Sequence, residues 1–295
     1  TLLASSAASD VYKRQDLYRL VKGKMLWVVL GIVLAVSVAS AYMAWLTVNP
    51  EFAPSGTNSS SGFVIGATDG SAESAGYEML SGAQIADFSR NQTAMWLSGG
   101  ALALFVSVMT ALLFAADFSS GYVKNLPTSR KDRLAYYGEK LVLVVLLVAL
   151  LLVFGIATFE VSRIVSGLSY AHVGSAADIA LWFGLSVLIV SMYGAAIAVV
   201  TWLTQSKAAG LAAAIAVGST LLGGLVVTVL QGLAMLWEPF NRAMEWLPFY
   251  SYKLLLENAG TLSSAPDAVS HIVAVCGAVL VACVAVALGV CARKD

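Results

Sequence analysis

The side chains with the most chemical reach are few and scattered. His172 and His271 are the only histidines, far apart and without a partner at metal-ligand spacing, so each reads as a solvated or interfacial imidazole. Cys276, Cys283 and Cys291 recur at spacings of seven and eight, roughly along one helical face. Buried thiols mostly pack as small apolar groups, and a disulfide within one helix is excluded at such separations. A thiol stripe for a soft metal is the lesser reading. No G-x-x-x-x-G-K-[ST] loop is present to cradle a nucleotide phosphate. The expectation is a chain that is not an enzyme and has no catalytic residues, metal or cofactor.

The segment richest in positioned chemistry runs from Asp117 to Lys140. Gly121 and Pro127 can each break a helix, and Thr128 or Ser129 can cap a new one. That new helix is basic and aromatic, carrying Arg130, Lys131, Arg133, Tyr136 and Tyr137. A solvated basic turn accounts for the charge equally well, but not for the ordered series of Gly, Pro and cap.

The elements that must position this loop are apolar. Hydrophobic residues make up 59% of the 295 and charged ones 12%, about half the usual ~25% of soluble domains. Seventeen Lys and Arg balance seventeen Asp and Glu, so no basic field invites nucleic acid. Six runs lack any Lys, Arg, Asp, Glu or His: Met25–Leu46, Ala94–Ala116, Leu141–Phe159, Ile179–Leu203, Ala208–Leu230 and Ile272–Cys291. Each matches the roughly 17–25 residues that cross hydrocarbon as a helix, and their continuity argues against a membrane β-barrel. The fold class expected is an all-α polytopic membrane protein with six transmembrane helices.

Thirteen Lys and Arg fall on the side holding the termini and the Asp117–Lys140 loop, against four on the other. Positive charge stays inside, so both termini are expected in the cytoplasm. Residues 1–14 lack the core and cleavage pattern of a signal peptide, and are expected to be a non-native or disordered start to a single transmembrane domain over 15–295. From Gln15 or Asp16, Leu17, Leu20, Val21 and Lys24 fall at helical spacing. This fits an amphipathic helix on the inner leaflet or a basic flank anchoring the first span.

The long outer loop 47–93 is expected to be flexible, with a short helix around Tyr77–Phe88. Its five acids, Glu51, Asp69, Glu73, Glu78 and Asp87, read as a solvated loop before a substrate-facing surface. Asn58 and Asn91 begin glycosylation triplets, a weak pattern. In the second outer loop, Gln231–His271, six aromatic residues crowd between Trp237 and Tyr252 with Pro239 and Pro248. They suit an interfacial belt, two short helices dipping into the outer leaflet, or both. Glu238, Arg242 and Glu245 are spaced to pair along a helix. Acids at span ends only (Asp117, Glu160, Asp178) disfavour an ion-coupled carrier, which usually keeps ionisable groups within the membrane. Gly210, Ala214 and Gly218 permit close helix contact.

The inner loop resembles that of ABC-2 type permeases, the membrane subunits of bacterial ABC exporters. Asp117, Gly121, Pro127-Thr128-Ser129-Arg130 and Lys140 occupy the places of that family's acidic span end, Gly turn, "P-x-S-R" motif and span-opening Lys. Trp246-Leu247-Pro248-Phe249 looks like its "sP-f" element. The resemblance covers about residues 15–295, and the long loop after the first span departs from compact members. It implies an N-terminal amphipathic helix, a cytoplasmic coupling helix between spans two and three, and re-entrant outer helices between spans five and six. It further implies a bacterial plasma membrane protein that exports an apolar or amphiphilic substrate. ATP would be bound by a separate ATPase subunit contacting Asp117, Gly121, Pro127, Ser129, Arg130 and Lys140, with a second or sister permease completing a dimer. The competing expectations are a membrane-embedded accessory or immunity protein and, behind it, an ion-coupled transporter.

Overall fold

The computed structural model describes residue 18 and residues 20–49, 79–81, 84–98, 100–119 and 130–293. The expectations for residues 1–14, for 50–78, and for Gly121, Pro127 and Ser129 lie outside these. Tyr18 and Leu20 to Lys22 are helical, and Gly23, in an extended conformation, separates them from α1 (Lys24–Val48). Leu20 is buried, but Val21 and Lys24, expected to share its helical spacing, are exposed.

Among the described residues, five helices are long and apolar enough to cross a membrane, and a bent pair makes six if it is one span. They are α1, α3 (Ala101–Ser119), α4 (Arg130–Val165), α5 (Ala176–Thr204) and α10 (Pro266–Arg293), with α6 (Lys207–Gly218) and α7 (Leu221–Ala234) as the bent pair. In α1, Leu26, Val29, Val33, Ser37, Ala41 and Ala44 are buried, whereas Trp27, Ile32, Val38 and Tyr42 are exposed. A 3.6-residue repeat that exposes large apolar side chains on its other side suits lipid rather than water. Within their most apolar windows, 67% of α5 and 61% of α3 are buried against 17% of α10, so α3 and α5 form the centre and α10 the rim. Glycine lets the centre close: a Cβ at Gly194 of α5 would stand 2.5 Å from Val144 Cγ1 of α4 and 3.2 Å from Val106 Cγ1 of α3.

The second apolar run is not one helix. Asp87 caps α2 (Phe88–Thr93) by accepting the Arg90 N–H at 2.9 Å, and a π-helical turn, Ala94–Ser98, follows. Gly100, at φ 67, then redirects the chain into α3. The fifth run breaks as well, bending 53° between α6 and α7. Ser219 Oγ donates to the Ile215 carbonyl, and Thr220, at φ 60, sends its N–H back to the Val217 carbonyl at 3.2 Å. Side chains that bond nearby backbone compete with the helical ladder. The corner nests against Gly100, where a Cβ would lie 2.7 Å from Thr220 Cγ2.

Three expectations need correction. The protein is not all-α: β1 (Met79–Ser81), β2 (Gln84–Asp87) and β3 (Ser169–His172) form a small sheet, with β1 antiparallel and β3 parallel to β2. Gln84, Ile85 and Asp87 pair with Ser169, Tyr170 and His172, long-range partners that local propensity cannot announce. In place of the helix expected around Tyr77–Phe88, the described residues before Phe88 are strand. Arg130 also does not sit on a separate short helix. It opens α4, which runs unbroken for 36 residues, about 54 Å at ~1.5 Å per residue, well beyond the ~30 Å of hydrocarbon.

Two short helices, α8 (Pro239–Glu245) and α9 (Tyr250–Glu257), do precede α10, as anticipated for the aromatic loop. Glu238, Arg242 and Glu245 are exposed, and no ion pair joins them.

Candidate functional site at the junction of helices α3 and α4

Asp117 lies in the last turn of α3 and Lys140 ten residues into α4. The fold brings them together: Lys140 Nζ is 2.8 Å from Asp117 Oδ2, and both side chains are 3% exposed. Tyr136, one turn before Lys140 on α4, donates its hydroxyl to the same carboxylate oxygen. Lys140 Nζ also lies 5.3 Å from the Tyr136 ring centroid. A buried charge without a partner is costly; here the acid has a cation and a hydroxyl donor, and the cation has an aromatic face.

Rings close the pair off. Trp202, near the end of α5, sits 5.7 Å from Tyr136, 6.1 Å from Tyr137 and 5.8 Å from Phe118. Phe114 meets Tyr137 edge-on at 6.3 Å, and Ala287 of α10 joins the same buried cluster. Four helices thus converge on one ionic and aromatic box. Immediately beyond Trp202, Gln205 ends α5 in the left-handed region and Ser206 caps α6 by accepting the Ala209 N–H at 3.4 Å. Of the six residues singled out in sequence, the structure joins Asp117 and Lys140 and places Arg130 at the opening of α4. Lys140 lies inside α4, directly before the third apolar run, and is turned into the box. Tyr136 was seen in sequence only as part of a basic aromatic surface, and Trp202 was not seen at all. The signal for both was an aromatic residue with a polar atom at the edge of an apolar run.

A second polar cluster occupies the opposite end of α4. Glu160 accepts from Gln92 Nε2 at 3.2 Å, Tyr170 Oη at 2.6 Å and Arg163 Nε at 2.7 Å. Arg163 also donates to the Leu168 carbonyl at 2.6 Å and lies 4.6 Å from the Tyr170 ring centroid. Burial, then the hydrogen bond to Glu160, pushes the Tyr170 phenol above its ordinary value of 10.0. His172 Nδ1 donates to Asp87 Oδ2 at 2.9 Å, tying the end of β3 to the cap of α2. His271 Nε2 donates to the Glu245 carbonyl at 2.8 Å. The histidines therefore have structural partners, and no metal-binding group of His, Cys, Asp or Glu occurs among the described residues. Asn91, with its side chain buried, is no accessible sugar acceptor.

Neither protein-family models nor the curated proteins contain a match to this chain.

Proposed function

We propose that this chain is the membrane-spanning subunit of an ATP-driven exporter of the ABC-2 permease kind, coupling hydrolysis by a separate ATPase to export of an apolar or amphiphilic substrate. The observation that carries the reading is the buried Asp117–Lys140 pair. It fixes both ends of the inner loop to one rigid point, so a force on that loop acts on α3 and α4 together. In this reading the Asp117 end of the bundle is cytoplasmic, both termini are on that side, and α8 and α9 line the outer leaflet. The opening of α4, led by Arg130, is the contact for the ATPase. A second permease, identical or sister, completes the pathway.

The test is to purify tagged wild-type and Arg130→Glu chains from the native membrane and measure co-purified ATPase beside the amount of inserted permease. Reversal of a buried contact charge costs about 2–5 kcal/mol, enough to strip the ATPase from the variant while insertion stays normal. Equal ATPase on both chains removes the coupling role of Arg130. Absence of any ATPase on the wild type, under conditions that preserve assemblies, favours the accessory-protein reading.

A further inference from the structure

The described part of α5 is an unbroken helix from Ala176 to Thr204, and it makes specific contacts at two levels. At the Asp117 end, Trp202 packs among Tyr136, Tyr137 and Phe118. Nine residues earlier, about 13 Å along the axis at ~1.5 Å per residue, Tyr193 stacks on Tyr252 of α9 with centroids 5.7 Å apart and planes at 16°. Beside Tyr252, the Cys276 thiol of α10 lies 3.6 Å from Ser251 Oγ. Trp202, Tyr193, Tyr252 and Cys276 are all buried. A continuous helix cannot turn or slide at one of these levels without doing so at the other. Trp202 is also the α5 ring that touches Tyr136, whose hydroxyl is bonded to Asp117.

We infer that Trp202 is a positioning residue that passes displacement of the Asp117–Lys140 junction into α5, and through the Tyr193–Tyr252 stack into α9. The consequence for transport rests on the exporter reading above; the mechanical link itself does not.

Cys276 supplies a native reporter. In the full chain carrying Cys283→Ser and Cys291→Ser, the rate of N-ethylmaleimide addition to Cys276 measures how well the α9–α10 contact is held. Trp202→Ala should raise that rate about tenfold, within the range of coupling energies between distant sites. Trp202→Phe should restore it to near wild type, and Trp202→Leu should fall between. Phe114→Ala opens the same aromatic cluster from α3 and should leave the rate unchanged. An unchanged rate in Trp202→Ala, or an equal rise in Phe114→Ala, overturns the inference, because Trp202 would then be an ordinary packing residue. Should Trp202→Ala not insert, the Trp202→Leu and Trp202→Phe rates decide. A second arm uses membranes that also contain the co-purifying ATPase. Addition of ATP and vanadate should change the Cys276 rate in the wild-type-at-202 chain and not in Trp202→Leu; the same change in both overturns the relay. If no ATPase co-purifies, the exporter reading fails, while the nucleotide-free rates still decide the role of Trp202.

Discussion

Among the described residues, an acid–base pair stands at each end of α4, and the two are built on opposite plans. At one end Asp117 and Lys140 come from different helices, are 3% exposed, and are roofed by rings. At the other, Glu160 and Arg163 are one turn apart on the same helix, with side chains 23% and 16% exposed. The first pair is a junction, since it links the ends of two different helices. The second is largely local, and its reach comes from the neutral partners Gln92 and Tyr170 that bring α2 and β3 to Glu160. Similar ionic chemistry therefore has different structural weight, decided by burial and by whether the partners share an element.

The sharpest way to break this contrast is to remove one member of the junction. Lys140→Met removes the cation 2.8 Å from the buried Asp117 carboxylate, and should cost about 3–5 kcal/mol. The double variant Asp117→Leu, Lys140→Met should regain most of that, because no isolated charge remains. Unfolding of detergent-solubilised protein by SDS titration reads both, and a single variant within about 1 kcal/mol of wild type dissolves the distinction between the ends. Next in size is Tyr136→Phe. It deletes only the hydroxyl bonded to Asp117, so about 1.5–3 kcal/mol should be lost, the range for a hydrogen bond to a charged group.

The opposite end should yield less. Glu160→Gln keeps the shape and an acceptor oxygen, and the partly open pair should lose about 1 kcal/mol or less in the same titration. A loss matching that of Lys140→Met would show that this cluster, too, is a junction. The smallest effect concerns Tyr170. Its folded-state phenol is held above the ordinary value of 10.0, so the folded protein keeps the proton more tightly than the unfolded chain does. The corresponding stability is complete below pH 10 and falls as pH rises above it. Tyr170→Phe should flatten that alkaline fall, and pH-dependent thermal unfolding between wild type and variant measures the difference.

What the sequence made legible follows from the kind of interaction involved. The apolar runs that became α1, α5 and α10 were readable because length and lack of charge alone define a span. The corners at Gly100 and at Ser219-Thr220 were not, since each fits only because the other is there. The sheet escaped for the same reason: β2 and β3 are four residues each, of ordinary loop composition, and pair across 85 positions. At the candidate site, Asp117 and Lys140 were singled out by motif, but as contacts for another chain. Their attraction to each other came from three-dimensional proximity. Arg130 was placed on a separate helix because its upstream breakers suggested one, yet the one glycine between it and the third apolar run, Gly138, stays helical.

The parallel pairing of β2 with β3 has a consequence for biogenesis. The two strands flank the α3–α4 hairpin in the chain, one before its first crossing and one after its second. They can hydrogen-bond only when both helices have been threaded through the bilayer and the chain has returned to its starting side. The sheet is thus a clasp that closes after insertion. Protection from exchange of the amides that bridge β2 and β3, followed during synthesis, would time-stamp completion of that hairpin, separating chains that have finished crossing from those still in transit.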